Sequence, residues 1–513
     1  MDISTPGPTA EPSRLPTGAP QLKKGAIGYI SNIVIGVAST APAYSLAATV
    51  GFFVLINGVG IHSPAIVIVS FFPLFFIATA YNAMNKVDPD CGTTFSWVTR
   101  SMGAGWGFVI GWTVIFSDIV VNANQAQIAG SYGFQLFGLH GAANSKWDVI
   151  ILGVIFIAIL TWICWRGIEL SARTQQLLLG FEMTTLIIFS IVALIKAYTG
   201  SHPASSHISL EWFNPFGMSF GALVDGLLLG VFLYWGWDTG VSVNEESKNS
   251  DSGPGKSAIV ATFVLIAIYL LVTTAAQAYA GTKYLANNPN DIFAGGLSVG
   301  VLGVFHVLLT ISVLTSATAA TQTTILPAAR SALSMSRRGA IPKSFSEIHP
   351  RNLIPGSATV WAGILSVIWY VLISILSSNV LGDCVAGLGF MVCIYYGFTG
   401  FACTIFYRRE LTKSVRNFIG LGVVPVLGGA ILMGILGYGA YFYGKAANDY
   451  SPPLLGLGVP DWIGILGVGS GILLMLYRRM VAPAFFHEPR YVAGQHFEVV
   501  TAEEEFARTD SML

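Results

Sequence analysis

The sequence predicts an all-α polytopic membrane protein: twelve transmembrane helices in a five-plus-five inverted repeat, with breaks in helices 1 and 6 and two extra C-terminal helices. Three observations carry this. Of 513 residues, 53% are hydrophobic and only 10% charged, too few charges to cover a soluble surface of that size. Apolar runs of about 20 residues recur along the chain, each long enough to cross a bilayer. Finally, two of these runs are interrupted, and they lie five spans apart.

Residues 1–25 begin with a stretch rich in Pro, Ser and Thr that has no apolar core, and they read as a disordered cytoplasmic tail rather than a cleaved signal peptide. The membrane domain covers 26–480. Its spans fall at 26–56, 64–84, 105–137, 147–165, 174–199, 218–243, 257–281, 299–333, 357–378, 381–407, 416–443 and 458–477, and a cytoplasmic C-terminal tail follows over 481–513. Spans 1–5 (about 26–199) and 6–10 (about 218–407) form the two repeats.

An even number of spans puts both termini on one side. Of the 26 Lys and Arg, only Lys146, Lys196, Lys283 and Lys445 fall in the opposite loops. The positive-inside rule then sets both termini in the cytoplasm and the chain in the cytoplasmic membrane. A net charge of zero gives no basic balance for nucleic acid. The five cysteines lie mostly inside apolar spans without C-x-x-C spacing, as packing residues do, so no metal or other cofactor is expected.

Span 1 contains Gly36-Val-Ala-Ser39-Thr40-Ala41-Pro42, with a proline in mid-span, and span 6 contains Tyr234-Trp235-Gly236-Trp-Asp238. An offset of five means that the two cross the membrane in opposite directions. Interrupted helices at corresponding places of two halves point to an inverted repeat with a binding site near the midplane. Taken singly, each is also an ordinary kink or packing glycine; their matching positions favour the site.

Ionisable groups in a bilayer cost roughly 2.5–3.5 kcal/mol each even on a lenient scale. The spans nonetheless hold Asp118, Glu182, Asp225, Asp238 and His306, with no Lys or Arg deep enough to pair with them. Either the carboxyls carry protons, or a cation that is not a side chain neutralises them. Asp118, Glu182 and Asp238 are therefore the candidate coupling or cation-interacting residues. Glu182 is also readable as a helix-tying hydrogen bonder, as is Asp118 with Asn122, Asn124 and Gln125. The hydroxyls of Ser312 to Gln322 suit close helix packing or Na⁺ coordination.

Further stretches carry a resemblance: Gly92-Thr-Thr-Phe-Ser-Trp-Val, Gly111-Trp112, Ser171-Ala-Arg173, Tyr234 to Asp238 running on to Glu246-Ser-Lys-Asn249, and Ala329 to Pro342 followed by His349-Pro-Arg. In this order the chain resembles permeases of the amino acid–polyamine–organocation superfamily outside the two tails. The resemblance implies alternating access around broken spans 1 and 6. It puts substrate binding at Ser39, Thr40, Ala41 and Pro42 and at Phe232, Tyr234, Trp235 and Gly236, with Phe232 as the gating aromatic and Asp238 at the family's acidic position. In the family, the backbone of span 1 holds the substrate carboxylate. Pro42 has no N–H and removes one such donor. Some members carry a Lys in span 5 where this chain has Glu182, which reverses the local charge.

The expected activity is secondary active transport of an amino acid, proton-linked or by exchange. A polyamine or other organic amine is the alternative cargo. The partners are then a small molecule, H⁺ and the lipid bilayer. A channel would show a repeated pore motif, a sensor would carry an output domain, and a membrane enzyme would show a nucleophile–base pair or metal cluster; the sequence displays none of these.

Overall fold

The computed structural model of the protein describes residues 22–200, 202–293, 296–445 and 449–495, with the backbone alone at 168–172. Most of the expected N-terminal tail and the last part of the C-terminal tail lie outside the described residues.

Eleven helices are long and apolar enough to cross a membrane, and a twelfth span is completed by the bent pair Gly296–Phe305 and Val307–Arg337. Span 1 consists of two helices, Tyr29–Ser39 and Pro42–Leu55, and span 6 of Phe220–Tyr234 and the short Thr239–Ser242. Spans 2 to 5 are Ser63–Asn85, Ala104–Leu136, Lys146–Arg166 and Ile168–Tyr198. Spans 7 to 10 are Gly253–Asn287, Val307–Arg337, Gly356–Leu376 and Val380–Phe406. The last two are Val415–Tyr443 and Val459–Val481.

One boundary departs from the sequence reading. Residues 299–305 were expected inside span 8, but they belong to a separate helix that turns 109° from Val307–Arg337. Gly303 takes φ +58 at the corner, while hydrophobicity runs on through Val304 and Phe305 and hides the turn. His306 sits at this bend, half-exposed, with Nδ1 3.1 Å from the Gly303 carbonyl.

Each break has a local cause. Pro42 cannot donate to a helix running through it, and it disfavours helical backbone at the residue before it. Ala41 accordingly adopts φ 48, ψ 67, and the helix restarts with Pro42 at its first turn. In span 6, Trp235 turns to extended backbone (ψ 144), and Gly236 takes φ +117, a value suited to glycine alone.

Spans 3 and 8, the third members of the two repeats, pack along each other more extensively than any other pair. Polar side chains tie them together: Thr321 Oγ1 donates to Gln125 at 2.8 Å and Thr324 Oγ1 to Asn122 at 2.6 Å. In lipid, where apolar contact gives helices little preference for each other over acyl chains, such bonds and close packing hold a bundle together.

Ion pairs gather at the end of the bundle where the described termini lie. Arg330 meets Glu246 at 2.7 Å, Arg337 meets Glu245 at 2.9 Å, Arg100 meets Asp88 at 2.5 Å, and Arg338 bridges Asp90 and Glu488 at 3.1 and 2.7 Å. The segment after span 12 closes over this layer. The Tyr491 N–H donates to the Arg100 carbonyl at 2.7 Å, the Ala493 N–H to the Phe406 carbonyl at 2.9 Å, and Phe485 stacks on Phe95.

Candidate functional site

The two helix breaks meet. A Cβ added to Gly236 would stand 2.9 Å from the backbone carbon and oxygen of Ser39, so glycine is needed there for contact as well as for its φ. The Ser39 Oγ lies 2.8 Å from the Thr239 Oγ1, joining the end of one half-helix to the start of another. The first half of span 1 and the second half of span 6 also run close: a Cβ on Gly240 would come within 2.7 Å of the Asn32 carbonyl oxygen, and the Ile27 N–H donates to the Glu246 carbonyl at 3.0 Å. Thr40 turns its hydroxyl back to the Val37 carbonyl, and Ser45 donates to the Thr40 carbonyl at 2.6 Å, so part of the unwound backbone is satisfied locally.

Glu182 reaches into the first break. Its Oε1 accepts the Ala43 N–H at 2.7 Å and the Ser316 hydroxyl at 2.8 Å, and the Ser316 oxygen accepts the Tyr44 N–H at 3.3 Å. The helix that carries it begins at Ile168, so Glu182 lies roughly 21 Å along it at 1.5 Å per residue. Ser316 belongs to the small-polar face seen in the sequence, and it serves here as a hydrogen-bonding link between spans 1, 5 and 8.

Asp238 faces a different set of partners. The Tyr396 hydroxyl donates to its Oδ1 at 2.9 Å, and the hydroxyls of Tyr395 and Tyr81 stand 3.4 and 3.5 Å from Oδ2. Trp237 stacks on Tyr396 with centroids 5.2 Å apart and meets Tyr81 edge-on at 5.0 Å. The indole N–H of Trp235 donates to Tyr395, which links that expected site residue to Asp238 through one hydroxyl. Asp118 is buried with no partner for Oδ2 among the described residues, and it lies close enough to Asp238 and Tyr395 to interact with both electrostatically.

The expected residues therefore fall into two groups around the breaks. Ser39, Thr40, Ala41, Pro42 and Glu182 line the span 1 side. Trp235, Gly236, Asp238 and, through Tyr395, Asp118 line the span 6 side. Phe232 packs edge-on against Tyr44 at 6.4 Å, between the half-helices Phe220–Tyr234 and Pro42–Leu55. Tyr234 points away, its hydroxyl donating to the Val67 carbonyl at 3.0 Å and its ring against Tyr269. Tyr81, Tyr395, Tyr396 and Thr239 were not singled out from the sequence; the adjacent Tyr395-Tyr396 in an otherwise apolar span was the available signal. Ser39, Thr40, Phe232 and Trp235 are all buried, while Asp238 is partly exposed.

A site framed by carbonyl ends, carboxyls and aromatic rings can hold a small polar solute with a cationic group. Comparison with known proteins bears on which machine this is. The amino acid permease family matches residues 27–459. The chain is similar to the branched-chain amino acid permease BcaP of Lactococcus lactis subsp. cremoris (strain MG1363), 25% identical over 54% of this chain and 61% of that protein. It is also similar to the arginine/ornithine antiporter of Latilactobacillus sakei, 23% identical over 80% of this chain and 89% of that protein. A third relative, the methylthioribose transporter of Bacillus subtilis (strain 168), is 25% identical over 56% of this chain and 62% of that protein. The matched stretch spans about three fifths of the length of BcaP from Lactococcus and from Bacillus. These relatives are named as permeases, antiporters and transporters, none as an enzyme. With a family match over most of its length and the paired helix breaks that carry the site, the chain belongs to the amino acid permease family.

Proposed function

We propose that this protein is a secondary active transporter that moves an amino acid across the cytoplasmic membrane by alternating access, linked to protons or to exchange, with both termini in the cytoplasm. The observation that carries the reading is the direct contact of the two breaks at Ser39, Gly236 and Thr239. Half-helix ends that meet inside a bundle expose backbone dipoles to a small solute, and two helices that can each hinge there supply the two-sided gate. The Asp238 and Glu182 carboxyls beside the breaks are the coupling groups of this reading.

The branched-chain and arginine/ornithine carriers among the relatives support an amino acid as cargo, while the methylthioribose transporter marks that similar chains carry other solutes. A second reading, an organic amine, is favoured by Pro42, which offers no N–H where a substrate carboxylate would seek one. Uptake of labelled leucine, arginine and putrescine into liposomes holding the purified protein, under an imposed pH gradient, tests the proposal. Saturable uptake of leucine or arginine supports it, uptake of putrescine alone favours the second reading, and uptake equal to protein-free liposomes for all of them refutes both.

A further inference from the structure

The helix Pro42–Leu55 begins inside the bundle, and such a beginning is an anion seat. Its first N–H groups lack intrahelical partners, and the helix dipole adds positive potential there. In this protein every donor of that first turn is already engaged. Pro42 has none. The Ala43 N–H is taken by Glu182 at 2.7 Å, and the Tyr44 N–H by Ser316 at 3.3 Å. The Ser45 N–H closes on the Ala41 carbonyl at 2.8 Å. Ser316 also donates to the Glu182 oxygen that holds Ala43, so one carboxyl group holds Ala43 directly and Tyr44 through Ser316.

Two of the other half-helix ends at the breaks have the opposite sign. Tyr29–Ser39 and Phe220–Tyr234 both finish there, presenting carbonyl ends. The one remaining N-terminal end among the described half-helices belongs to the four-residue Thr239–Ser242. The space between the breaks thus offers carbonyls and carboxyls to a ligand, while its one long positive helix end is filled from within.

We propose that the Glu182 side chain is a tethered carboxyl group that fills the seat a substrate carboxylate would use, so that this transporter selects its substrate by an ammonium group and draws no affinity from a carboxylate at span 1. The inference rests on reading the breaks as the substrate site and narrows the substrate class to primary ammonium compounds. An amino acid and the amine left when its carboxylate is removed are then near-equivalent ligands. The seat is also a specificity device: emptying it converts the site to one that favours the carboxylate.

The test compares matched pairs that differ only in the carboxylate, leucine with isoamylamine, ornithine with putrescine and arginine with agmatine, in wild type and Glu182→Ala. For wild type, the expected ratio of amino acid to amine affinity within a pair lies within about tenfold of one, or favours the amine. In Glu182→Ala the ratio shifts toward the amino acid by at least about tenfold, on the order of one good charge-assisted hydrogen bond. A wild-type preference for the amino acid beyond tenfold, or an unchanged ratio in the variant, overturns the proposal. A second measurement does not depend on transport. Sodium acetate at tens of millimolar raises the thermal stability of Glu182→Ala by filling its empty seat, while leaving wild type unmoved and sodium chloride without effect. Absence of that rescue also overturns the proposal. Failure of every pair to move in either protein, with acetate rescue intact, refutes the transporter reading and leaves the seat assignment standing.

Discussion

The hydroxyls of Ser39 and Thr239, 200 positions apart in the chain, stand 2.8 Å from each other at the junction of the two broken helices. Ser39 is the last residue of its half-helix and Thr239 the first of its own. The contact therefore ties a C-terminal end to an N-terminal end across the pseudo-symmetric pair. Replacing either residue by Ala removes a buried hydrogen bond and leaves its partner's hydroxyl unsatisfied, which costs about 1–3 kcal/mol. Thermal unfolding of Ser39→Ala and Thr239→Ala should show similar losses. The double variant should lose less than the sum, since the second substitution removes the orphaned partner; fully additive losses would mean that the two hydroxyls do not interact.

Asp238 stands among three tyrosine hydroxyls with no basic partner among its contacts. Asp238→Asn should abolish pH-driven uptake, while Tyr396→Phe, which removes the 2.9 Å donor, should slow uptake by about tenfold, one hydrogen bond to a charged group being worth about 1.5–3 kcal/mol. Initial rates over a range of external pH give the measurement. Wild-type rates and pH response in Asp238→Asn would remove this carboxyl from the coupling machinery.

Arg330 and Glu246 are almost completely buried, and the guanidinium holds the carboxylate at 2.7 and 2.9 Å. Arg330→Met strands a buried carboxylate and should destabilise the protein by about 3–5 kcal/mol, whereas combining it with Glu246→Leu should recover most of that loss. A double variant no more stable than Arg330→Met would show that the pair holds this end of the bundle by something other than mutual neutralisation.

The segment after span 12 is bonded to the chain at Arg100, Arg338 and Phe406. Truncation after Ala482 removes those bonds and should speed hydrogen exchange in the helix Thr94–Met102 by about tenfold or more, as expected where local opening loses backbone bonds worth about 1 kcal/mol each. Unchanged exchange in that helix would mean that the strap only rests on the surface.

The number and order of the spans were legible because a bilayer writes long apolar runs and sided charge into a sequence. The breaks were legible too, since Pro42 and Gly236 each force a local backbone solution. What stayed hidden depended on side-chain direction. Nothing in the string distinguishes Tyr234, which turns to the Val67 carbonyl, from Trp235, which reaches Tyr395 beside Asp238. The tyrosines that face Asp238 come from spans 2 and 10, contacts that only the fold creates. The bend at Gly303 was masked by unbroken hydrophobicity, and the capping of Ala43 by Glu182 joins residues 139 positions apart.

The central claim is that the meeting of the two breaks is the place where a solute crosses. Counterflow measures this directly: liposomes containing the purified protein, preloaded with unlabelled amino acid or amine, are diluted into a trace of the same labelled compound. Gly236→Ala supplies the matched control, because its Cβ would meet the Ser39 backbone at 2.9 Å from a φ of +117 and would strain the break by about 1–3 kcal/mol. The account predicts transient accumulation of label in wild type, saturating with substrate and lost in a folded Gly236→Ala protein. Accumulation that survives unchanged in Gly236→Ala, or none in wild type for any amino acid or amine, would contradict it.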